Sequence, residues 1–286
     1  MAAQRMTQVG EGHIGIQIDG DGNTVNLDLP HLELTTHPGR RRPARTELEL
    51  VDPFRRITPP VAREEDMASA WRFLHSEKRI AVRTIIGRAG AGKTRLAVDL
   101  IEKLETEAKP RWFAGFVTAK ELRRFIDTQN LSAWGWQAPT LIVVDYAAEQ
   151  AATLKAWLSE LASNTKPGLP PLRILLLERH ASAEDGWLRS LKEDGYTDVV
   201  SELFDPFEPV TLRPLDESAN RRRVLDDFLT SAAQFLKVPR PNLPPAGVDP
   251  TFEQSLAQEV WQDPLYLHMA ALLACGAGTP LIQVLV

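Results

Sequence analysis

Gly87, Arg88, Ala89, Gly90, Ala91, Gly92, Lys93 and Thr94 form an unbroken G-x-x-x-x-G-K-[ST] run. These residue types at this spacing handle phosphate. Glycines let the backbone curl around an anion, the Lys93 ammonium reaches β- and γ-phosphates, and the Thr94 hydroxyl is a hard oxygen ligand of the kind Mg²⁺ accepts. The loop works only where a strand ends and a helix begins, because the N–H groups at the helix start supply the remaining donors. Both flanks are present: an apolar run from Arg79 to Ile86 and a helix-like run from Arg95 to Leu104. A glycine-rich turn with no ligand is the plainer alternative, and the agreement of the motif with both flanks disfavours it. A nucleoside triphosphate is therefore expected, its phosphates bordered by Gly87 through Thr94 and by Arg95.

A second acidic element is expected downstream. Leu141-Ile-Val-Val runs into Asp145, and a strand that ends in a carboxylate at the C-terminal edge of an open α/β sheet supplies the partner of Thr94 in holding Mg²⁺. The alternative is a strand that merely ends in a polar residue. The next position holds Tyr146, where many P-loop ATPases place a glutamate. Glu149 is the candidate water-polarising residue, or else a helix-start acid favoured by the macrodipole; if it is not the base, slow turnover is expected. Another apolar run, Leu172 to Leu177, ends in Glu178 and Arg179. If its strand lies between those of the P-loop and Asp145, Arg179 faces the γ-phosphate and discriminates triphosphate from diphosphate. Otherwise it is an exposed arginine paired with Glu178 or Glu184.

The elements around these residues read as α/β. Apolar runs at 79–86, 112–117, 141–144 and 172–177, with 207–212 as a fifth, alternate with helical patterns at about 119–127, 147–163 and 184–193, which predicts a parallel five-stranded sheet covered by helices. Met67, Trp71 and Leu74 mark an amphipathic helix ahead of the P-loop strand. After Leu212 the pattern becomes helical. Residues 217–235 carry apolar positions at helical spacing, a proline-rich connection follows, and Pro264 opens a further helix at N1 with Asp263 as N-cap. The expected organisation is a glycine-rich β-hairpin leader over 1–36, a basic linker over 37–52, a P-loop NTPase domain over 53–213 and a helical lid over 214–286. The leader alternates with period two on both sides of Asp19-Gly-Asp-Gly-Asn23, which favours turn chemistry over a calcium loop. Two strands alone are marginal in water, so this hairpin is expected to pair with another chain or dock elsewhere. Arg221-Arg-Arg223 is expected on the solvated face of its helix.

Composition bounds the partners. A net charge of −5 in 286 residues gives no global attraction to nucleic acid or anionic membrane, and neither is an expected partner. Cys275 is the single cysteine, so no internal disulfide framework exists, and a reducing, cytoplasmic setting is the default in the absence of a secretory leader. Leu265 to Val286 carries no Lys, Arg, Asp or Glu, but Gly276-Ala-Gly278 and Pro280 divide it, which predicts a core helix, a turn and a short helix in place of a membrane span. The closing Leu-Ile-Gln-Val-Leu-Val lacks a polar end, which suggests a truncated chain or a last segment that packs on a partner.

Taken in order, Val61-Ala-Arg-Glu-Glu-Asp66, Gly87 to Thr94, Leu141 to Asp145, Leu175-Leu-Leu-Glu-Arg179 and Asp263-Pro-Leu265 resemble the motifs of STAND nucleotide switches, the class that includes NB-ARC proteins and bacterial signalling and antiphage-defence ATPases. The resemblance covers roughly residues 53–275. It implies that Arg63 and Pro264 border the base and sugar of the nucleotide and that Arg179 senses phosphate; Lys93, Asp145 and Glu149 stand beside them as the catalytic candidates read from the residues, Glu149 with its helix-start alternative. The chain departs from the family's pattern where Ala62 replaces a glycine, where Gln262 replaces the glycine of the Gly-x-Pro-type motif, and in having no sensor repeats downstream. The implied function is an ATP-binding switch with slow ATPase activity, cycling between ATP and ADP and coupling nucleotide state to self-association or an effector protein. A non-hydrolysing, nucleotide-stabilised scaffold and a P-loop kinase are the alternatives.

Overall fold

Each apolar run that the sequence shows between helical segments is long enough for one buried strand, and the order in which those strands pair decides where the loop ends converge. The computed structural model describes residues 3–7, 31–35, 44–128, 134–163, 168–193 and 199–285. The leader contributes β1 (Ala3–Thr7) and β2 (His31–Thr35), antiparallel with Ala3 opposite Thr35 and Thr7 opposite His31. The hairpin expected around Asp19 to Asn23 lies outside the described residues, as do the basic residues 38–43. A short helix α1 (Glu47–Leu50) and a 3-10 turn at Pro53–Arg55 lead to α2 (Glu64–Leu74), then β3 (Ile80–Ile86), α3 (Lys93–Glu107), β4 (Phe113–Phe116) and α4 (Ala119–Thr128). Next come β5 (Thr140–Asp145), α5 (Ala151–Ser163), β6 (Leu172–Glu178), α6 (Gly186–Lys192) and β7 (Val210–Thr211), followed by the helices α7 (Ser218–Leu236), α8 (Pro250–Leu256), α9 (Pro264–Ala277) and α10 (Leu281–Leu285).

The sheet runs β1-β2-β4-β5-β6-β3-β7. From β4 to β7 every pairing is parallel, as the uniformly apolar strands predict. β2 adds antiparallel at the β4 edge, with Thr35 opposite Phe116. Gly115 allows that approach, since a Cβ there would stand 2.9 Å from Leu34 Cβ. The leader thus docks on the sheet of its own chain, where Leu32 and Leu34 are fully buried. Alternate residues of each parallel strand face opposite layers. Val82, Ile142, Val144, Ile174 and Leu176 pack under α4, α5 and α6 with the tryptophans 134, 136 and 157, whereas Ala81, Ile85, Leu141, Val143, Leu175 and Leu177 pack under α2 and α3. β7 is shorter than the expected fifth strand; only Val210 and Thr211 join the ladder.

One charged residue interrupts the apolar code of β6. Arg173, 1% exposed, donates to the carbonyls of Phe73, Leu74, Ser76, Arg79 and Leu172. It therefore satisfies the free carbonyls at the end of α2, a role that capping side chains often fill. Burial pushes its pKa down to about 10.

A third core joins α7, α8, α9 and α10. Leu50 and Val61 are buried in it, and Val51, Ile57 and Ala62 pack against it, so the segment ahead of α2 serves the helical unit as well as the sheet. Pro264 stands at the first turn of α9, as predicted, but Asp263 at the N-cap position makes no capping hydrogen bond. α9 and α10 are separate, as predicted, and no helix among the described residues is long and apolar enough to cross a membrane. The expected solvated arginine face is corrected at two of its residues. Arg221 is 3% exposed and its guanidinium donates to Leu215 O, Asp216 O, Leu256 O and Gln258 O. Arg222 lies over the Phe252 ring and pairs with Glu253. Only Arg223 is exposed. The reason is that the segment ahead of α7 and the end of α8 both present carbonyls to Arg221, and a guanidinium supplies five donors in one plane. Replacing Arg221 with alanine strands those carbonyls, so chemical denaturation should show a loss of about 3 kcal/mol, while Arg223→Ala stays within about 0.5 kcal/mol.

Candidate phosphate-binding site

The strand order places β6 between β3 and β5, with Ile86 opposite Glu178 and Leu177 opposite Asp145. The P-loop leaves β3, turns at Gly90 (φ 84°) and Gly92 (φ 100°), and enters α3 at Lys93. Left-handed φ at those two positions is what the loop needs to turn its N–H groups inward, and it is freely available to glycine. Nothing lies within 4 Å of the Cβ position at Gly92, which leaves a cradle open above the helix start. Such a cradle with the helix dipole behind it fits an anion.

Thr94 and Asp145, the two residues expected to hold a metal, lie side by side. Thr94 Oγ1 donates to Asp145 Oδ2 at 2.8 Å, so the hydroxyl and carboxylate sit as neighbours at the sheet's C-terminal edge. The Tyr146 N–H donates to Asp145 Oδ1 at 3.0 Å. Burial pushes the Asp145 pKa up, against the hydrogen bonds from Thr94 and Tyr146 and the charge of Lys93. Lys93 Nζ donates to Gly87 O at 2.6 Å and Arg88 O at 3.0 Å. Burial pushes its pKa down, opposed by Asp145 and Glu178. A hydroxyl, a carboxylate and a cradled ammonium together fit a phosphate chain carrying Mg²⁺.

These groups open into one cavity of about 330 Å³, within the ~300–1,000 Å³ usual for small-molecule sites. Ala89 through Arg95, Asp145, Glu178 and Arg179 line its polar end. Its apolar end is built from two distant parts of the chain: Leu50, Ile57 and Val61 on one side, and Val224, Phe228, Leu265 and His268 of the helical unit on the other. A polar end for phosphates joined to an apolar end for a flat ring is the shape of a nucleotide. His268 stacks on Phe228 with ring centroids 4.1 Å apart and planes 13° apart. Burial, with the Arg95 charge nearby, pushes its pKa down to about 3.

The remaining expected residues divide. Arg179 lines the cavity and is exposed, with no ion pair among the described residues. Its own N–H donates to Glu178 Oε1 at 2.7 Å. Arg63 lines the cavity but its guanidinium is occupied: it donates to Ala91 O at 2.8 Å, Arg213 O at 2.5 Å and Asp66 at 3.2 Å. Burial, opposed chiefly by Asp66, lowers its pKa. It brackets the P-loop to the segment that leads into α7. Arg95 pairs with Asp99 and donates to Thr58 O at 2.7 Å, which ties α3 to the 50–61 segment. Gly87 and Arg88 stand outside the lining. Glu149 is exposed and is not among the lining residues; it sits in a 3-10 turn that follows the left-handed Tyr146, at φ 55°. Ala62 has φ 52°, a left-handed conformation that costs a Cβ-bearing residue roughly 1–2 kcal/mol.

Sequence reasoning missed two features. Glu178 lines the cavity, and both its carboxylate oxygens accept backbone bonds, from Ala148 N at 2.9 Å and Arg179 N at 2.7 Å. Its position at the same strand end as Arg179 was the available signal. The second is the seat of α9 on the P-loop. Leu265 N–H donates to Gly90 O at 3.3 Å, and a Cβ on Gly90 would meet Leu265 Cβ at 2.8 Å. Arg88 bonds Glu259 at 2.7 Å and stands 3.3 Å from Asp263. The Asp263 carboxyl is 1% exposed, and burial pushes its pKa up against the charges of Arg88, Lys93 and Arg63.

No family model matches the chain, and no curated protein does. Among solved structures, domain III of the Thermotoga maritima replication initiation protein DnaA aligns at 13% identity and a TM-score of 0.49 over 80% of this chain and 92% of that one. The Aeropyrum pernix Orc1 protein, solved in complex with DNA, aligns at 15% and 0.47 over 83% and 66%. NtrX from Brucella abortus in complex with ADP aligns at 13% and 0.48 over 81% and 54%. These are likenesses of chain path only. The loop geometry and the parallel order β4-β5-β6-β3-β7 with helices on both faces are those of an α/β P-loop NTPase fold.

Two outcomes follow from this geometry. Gly90→Ala places a Cβ against Leu265 in a left-handed backbone, so it should loosen α9 and speed protease cleavage within 250–285, with residues 80–178 still resistant. His268 is neutral when folded and free to charge when unfolded, so stability is fully present above about pH 6.5 and falls as pH drops toward 3. The loss is at most about 1.4 kcal/mol per pH unit. In denaturation series at pH 7, 6, 5 and 4, His268→Phe should flatten that slope.

Proposed function

We propose that the chain is an ATP-binding switch of the STAND type, in which nucleotide state sets how the helical unit sits on the P-loop. The single observation that carries this reading is the bond of α9 to the loop that receives the phosphates: Leu265 N–H on Gly90 O, with Asp263 and Glu259 on Arg88. An anion entering the cradle adds negative charge beside Arg88, Lys93 and the buried Asp263, so the two arrangements of the lid differ in affinity for it. That difference is the most by which a ligand can bias them.

In this reading Lys93 holds the phosphate chain and Arg179 contacts its far end. The Arg63 and Pro264 side chains border the base and sugar, with Arg63 also bracing Ala91. Mg²⁺, held by Thr94 and Asp145, would neutralise the β- and γ-phosphate charge. The output is self-association or the capture of an effector protein through the surface that lid movement changes, in signalling or defence. A scaffold that binds ATP or ADP without turnover is the second reading, favoured by Tyr146 after Asp145 and by the exposed Glu149.

Titration calorimetry with ATP and ADP in Mg²⁺ tests the binding, and light scattering of the same samples tests the switch. Wild type should bind both nucleotides, Lys93→Ala should bind at least about tenfold more weakly through loss of a charge-assisted contact, and the molar mass should differ between the ATP and ADP samples. Absence of binding would overturn the reading. Binding with one mass in all samples would leave the scaffold in its place.

A further inference from the structure

We propose that Glu178 is the general base that takes a proton from the water attacking the γ-phosphate. This rests on the ATP reading above and adds a catalytic residue to it. Three carboxylates stand near the C-terminal ends of β5 and β6: Asp145, Glu149 and Glu178. Asp145 is committed to the Thr94 hydroxyl. Glu149 is exposed and turned out of the cavity. Of the three, only Glu178 lacks a side-chain partner among the described residues and is also part of the cavity wall that contains Lys93, Thr94, Asp145 and Arg179.

Its placement is that of a held base. β6 lies between the strand that delivers the P-loop and the strand that delivers Asp145, so its end faces the far end of a phosphate chain lying along the cradle. The N–H groups of Ala148 and Arg179 each take one lone pair of the Glu178 carboxylate. Each oxygen keeps a second lone pair, since an ionised carboxylate accepts at about four sites. The side chain is thereby oriented without being consumed. The two backbone donors belong to the turn that follows Asp145 and to the residue that follows Glu178 itself, so base, metal ligand and Arg179 share one rigid corner. Its charge also lies close enough to Lys93 to oppose the burial that lowers that ammonium's pKa.

The step balances without an added reagent. The water oxygen forms a bond to the γ-phosphorus as the bond from that phosphorus to the β,γ-bridging oxygen breaks. The bridging pair leaves with ADP, and the water proton passes to Glu178, which later releases it to solvent. The Tyr146 position, which holds a glutamate in many P-loop ATPases, lines the same cavity and its N–H holds Asp145, but its phenol supplies no carboxylate to take the proton.

The full chain is tested as wild type, Glu178→Gln, Glu178→Asp and Glu149→Gln, with ATP affinity by calorimetry, phosphate release, and the identity of nucleotide retained on the purified protein. Gln keeps an acceptor oxygen for one backbone N–H, so Glu178→Gln should bind ATP within about threefold of wild type. It should release phosphate at least about 100-fold more slowly, the usual worth of a general base, and carry ATP where wild type carries ADP. Glu178→Asp should recover part of the rate. If wild type does not bind ATP, the nucleotide reading fails and the inference with it. If wild type binds ATP but releases no phosphate, or if Glu178→Gln turns over normally while Glu149→Gln does not, the inference alone is overturned. A Glu178→Gln protein that loses binding and turnover together marks a structural brace, which also overturns it.

Discussion

The hydrogen bond from Thr94 to Asp145 joins the start of α3 to the end of β5, and the rest of the site depends on it. It brings the ends of β3 and β5 together at one edge of the sheet, and β6 lies between them. Once that order holds, the residues at the end of β6 have no choice of location. Glu178 and Arg179 must face the mouth of the P-loop, and the turn after Asp145 must reach across to them, which it does through the Ala148 N–H. The chemistry of the site is thus a consequence of sheet order, and sheet order is stabilised by the two apolar layers on either side.

Charge arrangement carries the constraint outward. Burying Lys93 and Asp145 is costly for both, as the opposed directions of their pKa shifts indicate, and their mutual attraction offsets part of that cost. The same logic governs the lid. Asp263 is buried without a capping role because it answers Arg88 on the P-loop. An N-cap carboxylate that leaves its own helix to pair with a loop in another unit couples the two. Arg63 performs the matching task from the opposite side, linking Ala91 of the loop to the carbonyl of Arg213 ahead of α7.

The cavity's apolar end shows how local and distant parts of the chain were combined. Residues 50–61 are short, proline-rich and without a long element, and alone they would bury little. They gain a core by packing against α7 and α9, and in doing so place Leu50, Ile57 and Val61 opposite Phe228 and His268. The strained Ala62 lies at the end of this segment, directly before Arg63. Its left-handed turn is what aims Arg63 back toward the P-loop.

Local chemistry was legible in the residues themselves. The glycines, Lys93 and Thr94 read as a phosphate-type loop because the motif and both flanking elements agree, and the chain folds them between β3 and α3. The apolar runs identify parallel strands because both faces are covered, and Pro264 marks a helix start because its ring fits only the first turn. What the tertiary structure alone decided concerns which groups meet. Arg221 and Arg222 read as surface residues and are packed inside or along the helical unit, since no spacing rule reveals that the Leu256 carbonyl meets one and the Glu253 carboxylate the other. The leader's docking on β4 depends on Gly115 and Leu34 meeting across most of the domain. Glu149 is the candidate base in the sequence and Glu178 is not, and only the fold shows that Glu178 lines the cavity while Glu149 does not. Periodicity reports the face a residue turns to its neighbours in sequence, whereas partners brought from a hundred residues away are set only when the sheet closes.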